Sequence, residues 1–306
     1  MGSVRGPALH FAAWTGSEKI GKNSNGLMTV SHRRKKENNS VLRMIDLSDL
    51  QWRNESTWQM RRDLVISYSC RNAKAPALES GNFNACFCGN WLLKKKAEEV
   101  AAFLNGRCIF LVGMMGCGKS TVGKILSEVL GYSFVDSDRY VEQSLGGTPV
   151  AQIFEQCGEN FFREYESEAL RKLSTIPQQV VATGGGAVVR SINWKYMRQG
   201  ITVFLDVPLD ALARRIAAVG TDSRPLLSFE PGDPYTMAFR GLFILSKKRA
   251  EAYANADATV SLQHMMANLG LEDISDVTPT AIAMEVLEQI ENLQERSNGM
   301  SARMFP

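Results

Sequence analysis

The fold of this chain is decided by one stretch, Cys108-Ile109-Phe110-Leu111-Val112-Gly113-Met114-Met115-Gly116-Cys117-Gly118-Lys119-Ser120. Its first five residues form a short apolar run that is typical of a buried parallel strand. The next eight fit the pattern G-x-x-x-x-G-K-S/T, which describes a phosphate-binding loop. The segment 121–130 that follows has a helical pattern. The order strand, loop and helix is the context that this motif requires, so the match is far more specific than its spacing alone.

The motif predicts a nucleotide site. Its glycines let backbone N–H groups converge on phosphate oxygens at the positive end of the next helix. The lysine adds a mobile charge for the β and γ phosphates, and the serine hydroxyl is a ligand suited to Mg²⁺. A glycine-rich turn that binds nothing is the weaker interpretation. The predicted nucleotide-binding residues are Gly113, Met114, Met115, Gly116, Cys117, Gly118, Lys119, Ser120 and Thr121.

Composition and charge narrow the classes of function. The 306 residues are 44% hydrophobic and 22% charged, as in soluble globular proteins, and no apolar run is long enough to predict a membrane span. Residues 1–90 hold 13 Lys or Arg against 7 Asp or Glu, whereas residues 91–306 hold 22 against 25. The folded part is therefore mildly acidic, which argues against nucleic-acid binding. The six cysteines lack paired zinc-ligand spacing and are predicted to be reduced thiols.

The first 90 residues differ from the remainder. They are rich in Ser, Asn and Arg and show no sustained helical or strand period. The basic run at 32–36 fits a nuclear signal less well than a solvated charge cluster. We predict that residues 1–90 are a transit peptide and disordered extension, although seven acidic residues are unusual for one. Residues 91–306 are predicted to be one catalytic domain with a lid at about 220–235.

From residue 108 onward, strand and helix patterns alternate, which predicts a parallel sheet covered by helices on both faces. The predicted strands are 108–112, 132–136, 180–183, 201–206 and 258–262. The predicted helices are 92–104, 121–130, 138–145, 150–156, 159–173, 192–198, 209–218, 235–253 and 280–293.

Two aspartates stand at the end of the second predicted strand. Ligands bind beyond the carboxyl ends of strands in an open parallel sheet, so Asp136 and Asp138 are expected beside the phosphate-binding loop. Asp136 would then bind Mg²⁺, and Asp138 would orient a substrate hydroxyl or accept its proton. Helix capping by an aspartate is an equally open interpretation.

Three further features carry candidate binding groups. Arg163 shares a helix face with Glu166 and would bind an anion while that glutamate holds it. The glycines Gly184–Gly186 follow a strand directly and expose backbone to a hydroxylated ligand. Arg224 lies in the aperiodic lid segment and would close over phosphates. Taken alone, a solvated ion pair, a flexible turn and a solvated loop arginine explain them as well, and the basic run ending at Arg249 fits a solvated helix face.

Together these residues resemble the shikimate kinase family. The signature comprises Arg163-x-x-Glu166-x-x-x-Leu170 and, after nine intervening residues, Val180-Val181-Ala182-Thr183-Gly184-Gly185-Gly186-Ala187-Val188. The phosphate-binding loop, Asp136-x-Asp138, Arg224-Pro225-Leu226-Leu227 and Arg249-x-x-x-Tyr253 follow the family order. The resemblance covers about 107–293, and the segments 206–210 and 253–257 look most like the plastid enzymes of plants.

The resemblance implies a three-layer α/β fold like that of the nucleoside monophosphate kinases. Such a fold has a core sheet of five parallel strands, a substrate-binding helical segment and a lid. The implied reaction transfers a phosphoryl group from ATP to shikimate in aromatic amino-acid synthesis, with Mg²⁺ as cofactor. The implied setting is the plastid stroma, without nucleic-acid or membrane partners, for a monomer or homodimer.

The resemblance also implies roles for individual residues. Lys119 and Ser120 would hold phosphates and the metal, which Asp136 assists. Asp138 would bind the reacting hydroxyl as a base. The carboxylate of the substrate would lie between Arg163 and Arg249, with Gly184, Gly185 and Gly186 beside its hydroxyls. Arg224 would act from the lid, and Pro279 belongs to a loop against adenine. Two rivals remain, which are a kinase for another polyol or acid such as gluconate and a paralogue that has lost catalysis.

Overall fold

The computed structural model describes residues 82–220 and 233–304, with side chains between 90 and 298. The predicted extension up to residue 81 lies outside the described residues. The greater part of the predicted lid, including Arg224, also lies outside them.

The core of the fold is a sheet of five parallel strands in the order β2-β3-β1-β4-β5. The central strand β1 pairs with β3 through Ile109 and Val180 and with β4 through Ile109 and Ile201. This register brings the carboxyl ends of all strands to one edge, where Asp136 lies opposite Ala182. The prediction of a parallel α/β sheet is confirmed. The strands are β1 Ile109–Val112, β2 Ser133–Asp136, β3 Gln179–Ala182, β4 Ile201–Asp206 and β5 Ala258–Ser261.

Helices connect the strands and cover the sheet. They are α1 Asn82–Leu104, α2 Lys119–Leu130, α3 Ser137–Ser144, α4 Val150–Leu173, α5 Ser191–Met197, α6 Leu209–Val219, α7 Pro234–Tyr253, α8 Leu262–Leu269 and α9 Pro279–Met304. Short 3₁₀ turns lie at Ala187–Val189 and Ile274–Asp276. Among the described residues, no helix is both long enough and apolar enough to cross a bilayer.

One helix was not predicted. Helix α8 follows β5 without a loop, because Ser261 ends the strand and caps the helix, its hydroxyl accepting from the His264 backbone N–H at 3.5 Å. Gly270 ends the helix in a left-handed conformation. With only eight residues and no separating turn, its apolar positions were indistinguishable from a continuation of the strand.

Helix α4 is interrupted where the sequence placed a break between two helical stretches. Gly158 has φ 82° and ψ 168°, a conformation open to glycine and costly for other residues. The second half of α4 therefore starts afresh at Glu159 and carries Arg163 toward the carboxyl edge of the sheet.

Helix α1 is part of the hydrophobic core. Leu93, Ala97, Val100 and Leu104 are spaced on one helical face, and none exposes more than 1% of its surface. The helix packs against α9 and α2, and Lys96 pairs with Glu291 of α9 at 2.6 Å. It begins at Asn82, upstream of the predicted start at residue 92.

Candidate active site

The segment Gly113–Ser120, hereafter the phosphate loop, joins β1 to α2. Lys119 exposes 9% of its surface, and its Nζ donates to the carbonyl oxygens of Gly113 at 2.8 Å and Met114 at 2.9 Å. Two carbonyl oxygens of the loop thus bind the ammonium group of Lys119. These carbonyl contacts hold the lysine at the site where phosphate oxygens would compete for it.

Gly113 cannot be replaced in this loop without movement. A Cβ there would lie 2.8 Å from Cys117 Sγ and 2.9 Å from the Leu205 carbonyl oxygen. The Cys117 side chain is therefore packed inside the loop, and it exposes 1% of its surface. One further cation, Arg215 on α6, donates to the Gly116 carbonyl oxygen at 3.3 Å. Sequence reasoning missed Arg215, because nothing local connects a helix after β4 to the phosphate loop.

The Asp136 carboxylate accepts hydrogen bonds from residues of two neighbouring segments. Its Oδ2 accepts from the Ser120 hydroxyl at 2.7 Å, which places the carboxylate against the phosphate loop. Its Oδ1 accepts from the Asp138 backbone N–H at 3.1 Å and caps α3. Asp136 therefore caps a helix and also lies beside the phosphate loop, as expected, while its binding of Mg²⁺ stays a prediction.

The pair of oxygens from Ser120 and Asp136 is chemically suited to Mg²⁺, which prefers oxygen ligands. No group of three or more His, Cys, Asp or Glu side chains arranged for a metal occurs within 82–220 and 233–304. A magnesium ion here would therefore keep most of its coordination for water and phosphate, as Mg²⁺ commonly does in proteins.

Asp138 is the best candidate for a proton acceptor. Its Oδ1 is buried and has no hydrogen-bond partner. Burial, together with the negative charges of Glu166 and Asp136, raises the pKa of Asp138 to about 7, against the opposing effect of Lys119 and Arg163. A carboxyl group that titrates near neutrality is well matched to general-base catalysis.

Arg163 is held by two carboxylates of its own helix. Its Nη1 donates to Glu166 Oε2 at 2.8 Å, and Glu166 is fully buried. Its Nη2 donates to Glu159 Oε1 at 2.9 Å. Burial acts to lower the pKa of Arg163, but the two glutamates raise it above its ordinary value, so the guanidinium stays charged. The interpretation of Arg163 as part of a solvated ion pair is wrong. Glu159 was not among the predicted site residues, although its i,i+4 spacing from Arg163 is a detectable signal.

The segment Gly184–Gly186, hereafter the triple glycine, is built of glycine because charged groups pack on it. A Cβ on Gly184 would collide with Asp138 Oδ1 and would lie 2.6 Å from Glu166 Oε1. A Cβ on Gly186 would collide with the Arg163 guanidinium. The flexible-turn interpretation fails, since the glycines are where three charged side chains from other elements converge.

Arg249 reaches the triple glycine from α7. It exposes 3% of its surface, and its Nη1 donates to the Gly185 carbonyl oxygen at 2.8 Å. The interpretation as a solvated basic face is therefore wrong for this residue. Arg249 and Arg163 come from different helices and meet at one cavity.

That cavity has a volume of about 550 Å³ and opens at the carboxyl edge of the sheet. Its polar lining includes Asp136, Asp138, Arg163, the triple glycine and Arg249, and its apolar lining includes Phe154 and Phe162. The two phenylalanine rings lie 4.9 Å apart and also flank the Arg163 guanidinium. Pro279, the first residue of α9, is not among the lining residues.

A family model described as Shikimate kinase matches residues 115–291. The chain belongs to the shikimate kinase family. It is 63% identical over 201 residues to rice (Oryza sativa subsp. japonica) Shikimate kinase 1, chloroplastic, a match covering 66% of this chain and 65% of the rice protein. Arabidopsis thaliana Shikimate kinase 1, chloroplastic, is 48% identical over 294 residues, which is 95% of each chain.

A solved structure shares the fold of the shikimate kinase domain. The shikimate kinase of Acinetobacter baumannii in complex with shikimate is 32% identical and superposes with a TM-score of 0.51. The superposition covers 64% of this chain and 97% of the bacterial chain. The three-layer kinase fold implied by the sequence resemblance is therefore confirmed.

Proposed function

We propose that this chain transfers the γ-phosphoryl group of ATP to the 3-hydroxyl of shikimate, giving shikimate 3-phosphate and ADP. The observation that carries the proposal is the set of residues lining this cavity, in which two buried arginines from separate helices accompany Asp138 beside the phosphate loop. A substrate that has both a carboxylate and a hydroxyl is required to use all three groups.

The cavity walls favour shikimate over an open-chain acid. Phe154 and Phe162 offer an apolar surface against which a carbon ring packs, whereas gluconate would place hydroxyl groups there. Arg163 and Arg249 supply charge-assisted hydrogen bonds for one carboxylate. Because the triple glycine has no side chains, it leaves room for the carbon ring of the substrate in the cavity.

In this proposal, the phosphate donor and the acceptor hydroxyl group are bound by separate residues. Lys119 and the N–H groups of the phosphate loop hold the phosphates, and Ser120 with Asp136 holds Mg²⁺, which neutralises phosphate charge when bound. Asp138 accepts the proton of the attacking hydroxyl. We further propose that Arg224 acts over the phosphates and that Pro279 lies against adenine, as the family resemblance implies.

The plastid is the proposed location. Several relatives are named chloroplastic, and the Arabidopsis match runs over 95% of this chain. Residues 1–90 would then act as a transit peptide. Fusing them to a fluorescent protein should send it into plastids, and a cytosolic or nuclear signal would refute this.

A coupled assay of ADP release tests the activity. We expect the full chain with Mg·ATP to release ADP when shikimate is present and far less with gluconate or with no acceptor. Lys119→Ala should lower turnover by about 10²-fold or more, because the charge on the transferred phosphoryl group loses its partner.

Two results would contradict the proposal. Equal stimulation by gluconate would reassign the substrate class. If no acceptor stimulated ADP release although the protein still bound shikimate, the alternative hypothesis of a paralogue without catalysis would be supported. Every position of the candidate site that the structure describes holds the residue type that catalysis requires, which favours the active enzyme.

A further inference from the structure

The hydroxyl group of Tyr253 lies where the two halves of the candidate site meet. Tyr253 is the last residue of α7 and exposes 4% of its surface. Its Oη donates to the Gly185 carbonyl oxygen at 3.0 Å and lies 3.5 Å from Met114 Sδ. One hydroxyl group therefore contacts both the triple glycine and the phosphate loop.

The position of this hydroxyl is set by the sheet and not by either loop. The Tyr253 ring stacks on Phe204 of β4, with centroids 4.5 Å apart and an interplanar angle of 9°. Burial raises the pKa of Tyr253 despite the nearby Arg249 cation, so the hydroxyl remains a donor throughout the neutral range. It carries one proton and donates mainly to Gly185, because a carbonyl oxygen accepts more strongly than a thioether.

Gly185 links the same hydroxyl to Arg249. Its carbonyl oxygen also accepts from Arg249 Nη1 at 2.8 Å. A Cβ at Gly185 would lie 3.4 Å from Met115 N and 3.6 Å from both the Gly113 carbonyl oxygen and Arg249 Nη1. Gly185 thus contacts both Arg249 and the phosphate loop, and the Tyr253 hydroxyl contacts Gly185 and Met114.

The phosphates of a bound nucleotide would act on this arrangement through Lys119. The Lys119 ammonium donates to the carbonyl oxygens of Gly113 and Met114, and phosphate oxygens would compete for it. A shift of these two residues moves the groups that touch Gly185 and the Tyr253 hydroxyl. Because packed loops do not deform independently, the change reaches Arg249.

We propose that Tyr253 is a positioning residue that couples the phosphate loop to Arg249, so that a nucleotide in one half of the site changes the affinity for the acid in the other. The inference rests on the proposed function, since it takes shikimate as the acid. The coupling is reciprocal by thermodynamic necessity, so shikimate must change nucleotide affinity by the same factor.

Calorimetric titration of the full chain with shikimate, with and without saturating Mg·ADP, tests the proposal. In the wild type we expect the nucleotide to change the Kd of shikimate by about fivefold or more. In Tyr253→Phe the factor should fall to within about twofold of one, because the ring remains but the bridging hydrogen bond is lost. The steady-state KM for shikimate should rise while kcat changes less.

Tyr235→Phe is the matched control. It makes the same chemical change on the same helix, at a hydroxyl that donates to Asp210 Oδ1 at 2.6 Å and is not among the residues lining the cavity. It should keep the wild-type factor. If Tyr253→Phe melted far below the wild type, Phe204→Leu would serve instead, since it frees the tyrosine ring without removing the hydroxyl and should also lower the factor.

The outcomes distinguish a failure of the coupling from a failure of the proposed function. A wild-type factor of one, or an unchanged factor in Tyr253→Phe, with normal shikimate binding, overturns the coupling and leaves the proposed function intact. A wild-type protein that binds no shikimate overturns the proposed function, and this inference with it.

Discussion

A carboxyl group that is buried without a partner weakens the folded protein whenever it is charged, and Asp138 is in this position. Its pKa is about 7 in the folded chain, against an ordinary value of 3.8, because of burial and the charges of Glu166 and Asp136. The folded state therefore binds this proton more tightly than the unfolded state does. Protonation of Asp138 therefore adds to the free energy of unfolding. This contribution is complete below pH 3.8 and is lost as the pH rises to about 7.

Asp138→Asn should accordingly stabilise the metal-free protein more at pH 8 than at pH 5. Allowing for solvent screening, we expect the gain in unfolding free energy to differ by roughly 1–3 kcal/mol between the two pH values. Urea unfolding at both pH values measures it. Turnover should fall by about 10²–10⁴-fold, because the proton acceptor is lost.

Glu164→Gln is the control for this experiment, since Glu164 is an exposed carboxylate on the same helix as Glu166. It should show no comparable gain. A gain for Asp138→Asn that is equal at both pH values would mean that the carboxyl group is not strained by its charge, and an unchanged turnover would leave Asp138 as a structural residue only.

At the scale of elements, the candidate site depends on two helices that deliver one arginine each. Helix α4 restarts at Gly158 and fixes Arg163 through Glu159 and Glu166, whereas α7 fixes Arg249 against the triple glycine. The two guanidiniums are held by different hydrogen-bond partners. Each should therefore contribute to carboxylate recognition without depending on the fold of the other element.

We expect the wild type to prefer shikimate strongly over its uncharged carboxamide, and we expect Arg249→Ala to reduce that preference. Removing one partner of a buried charged pair costs about 2–5 kcal/mol, and the carboxylate loses more than the amide does. The ratio of kcat/KM for the two substrates measures the effect, while ATP affinity measured without shikimate should barely change. Arg240→Ala, at an exposed position on the same helix, is the control.

The carboxylate clamp would be refuted by a preference for shikimate that survives both Arg163→Ala and Arg249→Ala. That result would also remove the main reason for choosing shikimate over another polyol. A fall in both substrates by the same factor in Arg249→Ala would instead mean that the arginine acts only by supporting the Gly185 carbonyl group.

At the scale of the whole molecule, the family match begins at residue 115 and leaves α1 outside it, yet α1 is buried against α9. Its side chains Leu93, Val100 and Leu104 are at most 1% exposed. Burying one such side chain contributes about 1.5–3 kcal/mol, so the helix supplies several kcal/mol, a large share of the stability of an ordinary domain.

The fragment 82–306 should therefore retain the turnover of the full chain, whereas 106–306 should melt far lower or aggregate. Thermal melting and the ADP-release assay on both fragments measure the difference. A fragment 106–306 as stable as 82–306 would show that α1 is dispensable. An inactive but folded fragment 82–306 would show that the extension takes part in catalysis.

Local patterns in the sequence determined the elements and most of the candidate residues. The apolar run before Gly113, the glycine–lysine spacing and the strand–helix alternation predicted the parallel sheet, because such features depend on near neighbours in the chain. The same holds for the break at Gly158. Helix α8 was not predicted, because no turn separates it from β5.

The tertiary structure alone decided what surrounds each candidate. Asp138, Glu166 and Gly184 are far apart in the chain, yet they meet at one point. Burial there, together with the charge of Glu166, raises the pKa of Asp138, and the close contacts require glycine at position 184. The contacts of Tyr253 with Met114 and Gly185 likewise cross three elements. Burial and charge interaction depend on distance in space, so a sequence pattern names the residues of such a site but does not fix their chemistry.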